Sequence, residues 1–343
     1  MKTSHRVATA VGGAVGVAAT GAAIAITAAK RRAAHDLHVD ERLGRLEPDR
    51  VCSVAADDGV AISVEEIDPA DGGKPDLTVV YVHGFALSRK CWHFQRRDLA
   101  RLTEPRVRQV LFDLRCHGRS SRGGSAACTI EQLARDLSEV LRAMVPDGPI
   151  VLVGHSMGGM TIMALAEHEP DLFAERVCGV VLIATSAGEV GKRGLPRPLL
   201  SRYNPVTKGV ARLAGWRPGL VEYVRAAGGG LTRRATRSLA FGPRGVSPSL
   251  VDFMVEMLGV TPVAVLTDFA DTFGTHDRYA ALAGLRHAHV VVISGDHDLF
   301  TPFAHAERIV RELPDAELVR ARGAGHMVML EQPELVTDHL VML

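Results

Sequence analysis

Short apolar runs alternate with segments of helical hydrophobic spacing along most of this chain. The apolar runs are rich in β-branched residues and bounded by turn-forming residues, which is typical of strands. The segments between them place apolar residues three and four positions apart, which is typical of amphipathic helices. The pattern predicts strands over residues 51–56, 60–67, 77–82, 109–113, 150–153, 177–184, 289–294 and 317–321, and helices over 90–102, 130–144, 157–168, 302–313 and beyond 332.

This alternation determines the expected architecture. Strands separated by helices pair in parallel, because the chain crosses over through each helix before the next strand begins. The continuous apolar character of 77–82 indicates a strand covered on both faces. The first two strands flank Asp57-Asp58-Gly59, which is typical of a hairpin turn. The sequence therefore predicts an α/β protein with a doubly wound, mostly parallel eight-stranded sheet.

The alternation stops between residues 185 and 287. Helical patches over 220–227, 250–257 and 263–273 are interrupted there by proline, glycine and arginine. The segment predicts a helical cap over 188–286, inserted into an α/β domain that spans 51–343. Several apolar residues of the cap either line a pocket for an acyl chain or join the cap to the core: Phe253, Met254, Met257, Leu258, Phe269 and Phe273.

The N-terminal segment, residues 1–32, contains an uncharged stretch over 7–29 flanked by basic residues. The stretch is long enough to span a hydrocarbon core of about 30 Å, but it is only weakly apolar. Three interpretations stay open: a membrane anchor of ambiguous orientation, a cleaved export signal, or a soluble tail. We expect the protein to be membrane-anchored or exported, with residues 33–50 as a linker or short amphipathic helix.

Composition narrows the function further. The chain has 343 residues, with 40 lysines and arginines against 39 aspartates and glutamates, so no overall charge favours nucleic acid. Its five cysteines are scattered and odd in number, which argues against a disulfide framework and a zinc site. His287 and His289 have no third ligand near them in sequence, and we expect no bound metal. The sequence does not indicate an oligomeric state.

The strand predicted over 150–153 ends abruptly in Gly154-His155-Ser156-Met157-Gly158, and helical spacing begins at once. A strand, a tight turn and a helix in this order put Ser156 at the tip of the turn. Gly154 and Gly158 are expected there, because a side chain at either position would collide with the neighbouring strand or helix. An exposed hydroxyl beside backbone N–H groups at a helix N-terminus is typical of an acyl-transfer nucleophile.

A serine nucleophile needs a base, and the base needs an acid to orient it. Both are expected in loops at the carboxyl edge of the sheet, where Ser156 lies. Asp296 and Asp298 follow the seventh predicted strand, and His326 lies in a glycine-rich loop after the eighth. Position alone leaves both aspartates open as the acid, with Glu189 as a third candidate.

From about residue 51 to the C-terminus, the chain resembles α/β-hydrolases with an inserted helical cap. It carries five motifs in the order in which such proteins have them. One position departs from the pattern: Cys116 stands where such proteins usually have glycine, which puts only the local turn in doubt. The motifs are His83-Gly84-Phe85, Asp113-Leu114-Arg115-Cys116-His117-Gly118-Arg119-Ser120, Gly154-His155-Ser156-Met157-Gly158-Gly159, Gly295-Asp296-His297-Asp298 and Gly323-Ala324-Gly325-His326.

The resemblance implies a role for each site residue. It selects Asp298 over Asp296, which is then expected to cap a loop. His83 is expected to brace the oxyanion loop by a hydrogen bond, and Gly84 lies at the start of that loop. The implied set is Ser156 as nucleophile, Asp298 as acid, His326 as base, and the backbone N–H groups of Phe85 and Met157 as the oxyanion hole.

These residues predict a serine hydrolase that forms an acyl-enzyme and needs no cofactor. Carboxylic esters are the expected substrates, small molecules or lipids. The apolar cap and possible membrane contact through 7–29 favour medium or long acyl chains. Thioester, lactone and carbon–carbon bond hydrolysis and perhydrolysis stay open on the same three side chains. A binding protein without activity is the other class, but such proteins usually lack one of the three.

Overall fold

The computed structural model describes residues 36–190 and 229–343. Eight strands form one sheet in the order β1-β2-β4-β3-β5-β6-β7-β8. The first two strands form the predicted hairpin, and β2 also pairs antiparallel with β4, whereas all later pairs are parallel. The predicted doubly wound, mostly parallel sheet is therefore confirmed. The strands are β1 Arg50–Ala55, β2 Ala61–Ile67, β3 Leu77–Val82, β4 Val107–Phe112, β5 Ile150–His155, β6 Val177–Ile183, β7 His289–Gly295 and β8 Glu317–Ala321.

Helices connect the strands. Those that follow the sequence pattern include Ile130–Met144, which precedes β5 in the chain, and Met157–His168, which follows it. Others were not predicted, among them the helices over Pro170–Glu175, Gly229–Ala240 and Val328–Glu331 and the 3₁₀ helices over Ser125–Ala127 and Ala280–His287. The helix predicted over 90–102 begins as a 3₁₀ helix over Arg89–Trp92. The α-helices of the described residues are α1 His93–Leu99, α2 Ile130–Met144, α3 Met157–His168, α4 Pro170–Glu175, α5 Gly229–Ala240, α6 Pro248–Val260, α7 Val263–Asp268, α8 Ala270–Thr275, α9 Ala304–Glu312, α10 Val328–Glu331 and α11 Pro333–Val341.

Two buried hydrophobic clusters cover the two faces of the sheet. In β5, Leu152 belongs to one cluster, while Val151 and Val153 belong to the other. Successive side chains of a strand point to opposite faces, so a strand covered on both sides is apolar throughout. All six residues of β5 are buried. This buried centre holds the carboxyl end of β5 in place, where the chain turns at Ser156.

The described part of the cap, between β6 and β7, contains α5 to α8 and no long strand. Phe253, Met254 and Met257 belong to the buried cluster on one face of the sheet, and Phe269 and Phe273 to the cluster on the other. These five side chains therefore join the cap to the core. The helical patch predicted over 220–227 lies outside the described residues.

Residues 36–49 form turns, not an amphipathic helix. They are attached to the rest of the molecule through side chains. Asp36 accepts hydrogen bonds from the backbone N–H and the hydroxyl of Ser249 at the start of α6. Glu41 accepts from His93 at 3.0 Å and from Arg97 at 2.5 Å on α1. The described part of the predicted linker thus packs on both the cap and the core.

The uncharged stretch over 7–29 lies outside the described residues. Within 36–190 and 229–343, no single helix has the length and apolar character needed to cross a membrane. The helical segments Pro248–Val260 and Val263–Thr275 reach that length and apolar character only when they are taken together. The chain bends by 84° between them.

Candidate active site

Ser156 lies at a sharp turn between β5 and α3. Its backbone has φ +52° and ψ −115°, a conformation that costs about 1–3 kcal/mol for a residue with a side chain. A β-carbon at Gly158 would overlap the carbonyl oxygen of Val82, and one at Gly154 would lie 2.7 Å from the backbone nitrogen of Gly159. Glycine is required at both positions by these contacts, as the sequence predicts. The turn leaves Ser156 half-buried.

Asp298 and His326 are brought together from two neighbouring loops. Asp298 follows β7 and His326 follows β8, and the two strands are adjacent in the sheet. His326 Nδ1 donates a hydrogen bond to Asp298 Oδ2 at 2.8 Å. The donor must be the ring nitrogen, because the carboxylate is an acceptor. His326 Nε2 therefore keeps its lone pair when the ring is neutral, which is the state a general base needs.

Asp298 is held as an anion despite its burial. Burial alone would raise the pKa of its carboxyl, but the neighbouring His326 and hydrogen bonds from Thr301 outweigh this and lower it. The backbone N–H groups of Phe300 and Thr301 donate to Oδ1 at 2.8 and 3.0 Å, and the Thr301 hydroxyl donates to Oδ2 at 2.8 Å. Four donors thus fix the carboxylate in one orientation beside the imidazole.

Asp296 occupies a different position. Its Oδ1 accepts a hydrogen bond from the backbone N–H of Gly323 at 2.6 Å, so it caps the loop that leads to His326. Glu189 follows β6 next to Gly188, which bridges to Asp277 in the chain that leads to β7. Of the three acidic candidates, Asp298 is the one that contacts the imidazole.

The backbone of His326 is attached to both the serine turn and the cap. His155, the neighbour of Ser156, donates from Nε2 to the carbonyl oxygen of His326 at 3.0 Å. The backbone N–H of His326 donates to the carbonyl of Ala240 at 2.9 Å, at the end of α5. The rings of His155 and His326 lie 4.8 Å apart. Burial lowers the pKa of His155 to about 3, so this ring is neutral and its contact with His326 is a fixed hydrogen bond.

The loop after β3 passes directly beside the serine turn. A β-carbon at Gly84 would lie 2.6 Å from His155 Nδ1 and 3.2 Å from the β-carbon of Ser156, so glycine is required for this approach. Within 36–190 and 229–343, the backbone N–H groups of Phe85 and Met157 donate to no acceptor. Two free donors are therefore presented by the segments on either side of Ser156.

His83 supports this loop from below. Its Nδ1 donates to the carbonyl of Gly84 at 2.8 Å, and its Nε2 accepts from the backbone N–H of Leu114 at 2.9 Å. Burial, together with the nearby His117, holds the pKa of His83 well below its usual range. The neutral ring thus braces the loop to the turn after β4, by the hydrogen bond that the sequence predicts.

Two further residues that hold the site were not identified from the sequence. His117 accepts the backbone N–H of Ala86 at 3.1 Å through Nε2. Glu331 accepts the backbone N–H of Gly325 through Oε1 and that of Gly242 through Oε2, both at 2.7 Å. The only sequence signal for His117 is its place inside the Asp113–Ser120 motif. Glu331 carries no sequence signal, because its partners are backbone groups distant in the chain.

In the part of the chain that the structure describes, no three histidine, cysteine or acidic side chains lie close enough together to hold a metal ion. The described residues instead include a serine on a strained turn, an imidazole oriented by a carboxylate in a loop that His155 attaches to that turn, and backbone N–H groups without acceptors beside the serine. This arrangement is suited to nucleophilic attack by an alcohol and to stabilising a negatively charged oxygen.

Comparisons with known proteins agree with this description. A model of the alpha/beta hydrolase family matches residues 79–339. A thermophilic esterase from Thermogutta terrifontis has a similar structure, with a TM-score of 0.65 and 26% identity, over 85% of this chain and 97% of that one.

Two curated relatives are matched over a smaller share of their own length. The dihydrolipoyllysine-residue acetyltransferase component of the acetoin cleaving system from Pseudomonas putida is 27% identical over 276 residues, 79% of this chain and 64% of that protein. The probable esterase PIR7A from Oryza sativa is 30% identical over 122 residues, 36% of this chain and 43% of that protein. The chain thus spans less than two thirds of either relative.

Proposed function

The chain belongs to the alpha/beta hydrolase family, and on that premise we propose that it is a serine hydrolase that cleaves carboxylic esters through an acyl-enzyme. The observation that carries the proposal is the 2.8 Å hydrogen bond from His326 to Asp298, in a loop that His155 attaches to the turn of Ser156 at 3.0 Å. Esterases among the similar proteins support the same reaction class.

In the first half of the reaction His326 Nε2 accepts the proton of the Ser156 hydroxyl as the oxygen attacks the ester carbonyl. The positive charge that forms on the imidazole is stabilised by the Asp298 carboxylate, which also fixes the ring orientation. His326 then donates the proton to the departing alcohol. In the second half a water molecule, deprotonated by the same nitrogen, attacks the acyl-enzyme and releases the acid.

The backbone N–H groups of Phe85 and Met157 are proposed to bind the negative oxygen of the tetrahedral intermediate. Support comes from their lack of acceptors within the described chain and from their positions beside Ser156. Removing one such donor typically costs about 3–4 kcal/mol in transition-state stabilisation. His83 and His117 are positioning residues for this loop, because they contact its backbone and not the substrate.

We extend the proposal to medium or long acyl chains. Phe85 contacts the rings of Phe269 and Phe273, at centroid distances of 6.0 and 5.2 Å, so the proposed oxyanion loop packs against buried apolar side chains of the cap. A chain-length series of nitrophenyl esters tests this preference, and a kcat/KM that peaks at acetate contradicts it. Thioester, lactone and carbon–carbon bond hydrolysis and perhydrolysis need the same three side chains. Their rates are compared with that of ester hydrolysis on substrates that share one acyl group.

The direct test of the serine is labelling by a fluorophosphonate probe. We expect wild-type protein to be labelled and Ser156→Ala to lose labelling and nearly all ester turnover while keeping its circular dichroism spectrum. Ser125→Ala, at an exposed serine of the 3₁₀ helix before α2, is the matched control and keeps both labelling and ester turnover. Labelling that persists in Ser156→Ala, or no labelling of folded wild type, refutes the proposal.

We also propose that residues 7–29 attach the enzyme to a membrane. The support is the length of the uncharged stretch and its basic flanks. Fractionation of native cells tests it: the full-length chain should sediment with membranes and resist alkaline washing. Recovery of the full-length chain in the soluble fraction overturns this part of the proposal without affecting the reaction.

A further inference from the structure

Two cysteines lie in contact beneath the loop that follows β4. The sulfurs of Cys116 and Cys128 are 3.8 Å apart, and the residues are only 6% and 2% exposed. Both are free thiols, as are the other three cysteines. Of those three, Cys91 is buried, Cys178 is exposed, and Cys52 contacts a methionine sulfur. Eleven residues separate the pair in the sequence, so no cysteine motif indicates it.

The backbone at Cys116 is in a conformation that favours glycine. Its φ is +68°, where a β-carbon collides with the backbone and glycine does not. A cysteine at this position therefore carries a conformational cost. What its side chain gains locally is the contact with the Cys128 sulfur, since both thiols are enclosed in the cluster on one face of the sheet.

The pair is polarised so that one sulfur ionises before the other. The hydrogen bond from Cys128, aided by the nearby Arg122 and Arg115, lowers the pKa of Cys116 to about 7 against the effect of burial. The same hydrogen bond and burial raise the pKa of the Cys128 thiol. A thiolate is the form that reacts with oxidants, so Cys116 is the attacking sulfur and Cys128 the resolving one.

We propose that Cys116 and Cys128 form a reversible thiol–disulfide pair that a peroxide oxidises and a dithiol reduces. The Cys116 thiolate attacks one oxygen of hydrogen peroxide, the O–O bond breaks, and the departing hydroxide takes a proton to become water. The sulfenic acid left on Cys116 is attacked by the Cys128 sulfur, which forms the S–S bond and releases a second water. The two sulfurs lose two electrons and the peroxide gains them.

The peroxide reaches the sulfurs through the loop between them. Residues 119–126 are mostly exposed, and Gly118, Gly123 and Gly124 give the loop the freedom to open locally. A disulfide has an S–S length of about 2.05 Å, so the sulfurs must move about 1.8 Å closer than the 3.8 Å that separates them. Because both sulfurs are enclosed in a packed cluster, we expect the turn that carries Cys116 to shift on oxidation.

That shift reaches the candidate site through the next residue. His117 Nε2 accepts the backbone N–H of Ala86 at 3.1 Å, and its ring contacts Phe85 at 6.1 Å. Oxidation therefore displaces a brace of the oxyanion loop and lowers turnover, a consequence that rests on the proposed hydrolase function. We expect kcat to fall by on the order of tenfold or more, since a displacement of about 1 Å at a catalytic site costs about 10²-fold.

Peptide mapping tests the pair without any substrate. The full chain is treated with hydrogen peroxide, its remaining thiols are alkylated, and it is digested with trypsin without reduction. Trypsin separates the two cysteines into peptides 116–119 and 123–135, so the disulfide appears as one linked species that dithiothreitol splits. Cys178→Ser is the matched control and keeps the link, while Cys128→Ala abolishes it. If a peroxide concentration that oxidises the exposed Cys178 produces no linked species, the proposal is overturned.

Turnover measured on the same samples tests the consequence. Oxidised wild type should lose activity and recover it with dithiothreitol, whereas Cys116→Gly, which lacks the attacking thiolate, should be insensitive to peroxide. Cys116→Gly is well suited because glycine relieves the positive φ. If the linked peptides form while kcat stays unchanged, the disulfide does not control turnover. A chain that forms the link but never hydrolyses an ester refutes the proposed function and leaves the thiol pair standing.

Discussion

Buried histidines around the candidate site act through hydrogen bonds and not through charge. Burial lowers the pKa of His117 to about 4 and that of His155 to about 3, so both rings are neutral at pH 7. Each fixes a backbone segment: His117 contacts the loop after β3, and His155 contacts the loop of His326. His326 differs from them because its partner is the carboxylate of Asp298.

The acid is tested by a matched pair of substitutions two residues apart. Asp298→Asn should lower kcat on the order of 10³–10⁴-fold, because the amide no longer fixes the tautomer of His326, as in serine proteases that lose this carboxylate. Asp296→Asn keeps an acceptor for the backbone N–H of Gly323 and should change kcat by less than about threefold. Steady-state kinetics on one ester compares the two. Ester turnover that survives Asp298→Asn and is lost in Asp296→Asn contradicts the assignment.

Stability should depend on pH through the buried neutral histidines. The pKa values of His117 and His276 are lowered by burial to about 4, against about 6.5 in an unfolded chain. Between these values the unfolded chain binds more protons, so the free energy of unfolding falls as the pH drops from about 6.5 to 4. Burial raises the pKa of Asp136 and Glu331, and these two carboxyls change the stability with pH in the opposite direction. The contribution of a single histidine must therefore be measured separately.

His117→Asn isolates one of these contributions. Urea unfolding at about pH 5 and pH 7.5 gives the change in stability with pH for each variant. Removing a histidine that titrates only when unfolded should reduce that change by up to about 1.4 kcal/mol per pH unit. His168→Asn, at an exposed position, should leave the change as in wild type. Equal pH dependence in all three proteins shows that His117 does not titrate on unfolding.

At the scale of elements, Glu331 at the end of α10 joins two segments that are far apart in the chain. Its two oxygens accept from Gly325, which precedes His326, and from Gly242, which follows α5. Glu331→Gln replaces one acceptor with an N–H group that faces another N–H. We expect a loss of about 1–3 kcal/mol in unfolding free energy and a lower kcat with little change in KM.

The control is Glu334→Gln, one turn further at an exposed position of α11. It should change neither stability nor kcat, since no buried donor is left unpaired. Thermal unfolding and steady-state kinetics are measured on the same preparations. A Glu331→Gln protein with wild-type kcat shows that the position of His326 does not depend on this link.

The strands could be predicted from sequence because each is long enough to show its own apolar pattern. Strand β5 is one such case, and the strained turn at Ser156 follows from its flanking glycines. Helix α4 over Pro170–Glu175 and the 3₁₀ helix over Ala280–His287 are too short to show a period. The roles of His117 and Glu331 could not be predicted, because they depend on which backbone N–H groups the tertiary fold brings to them.

At the scale of the whole molecule, the described cap is tied to the sheet domain on two sides. Beyond β6, the backbone N–H of Arg278 donates to the carbonyl of Ala187 at 2.6 Å, and His276 donates to the carbonyl of Ser186 at 2.9 Å. On the other side, the carbonyl of Ala240 accepts from His326. Any displacement of the end of α5 must therefore move the loop that carries the proposed base.

Gly242→Ala is the sharpest test of that coupling. A β-carbon at Gly242 would overlap the carbonyl oxygen of Gly323, and backbone cannot yield as a flexible side chain does, so the cap segment and the His326 loop must separate. We expect kcat to fall on the order of 10-fold to 10²-fold, with the unfolding free energy lower by about 1–3 kcal/mol. Gly245→Ala is the matched control: a β-carbon there has no neighbour within 4 Å, and both quantities should stay as in wild type. If Gly242→Ala loses stability but keeps kcat, the segment after α5 supports the fold without positioning His326, and the cap is then free to move without changing the chemistry.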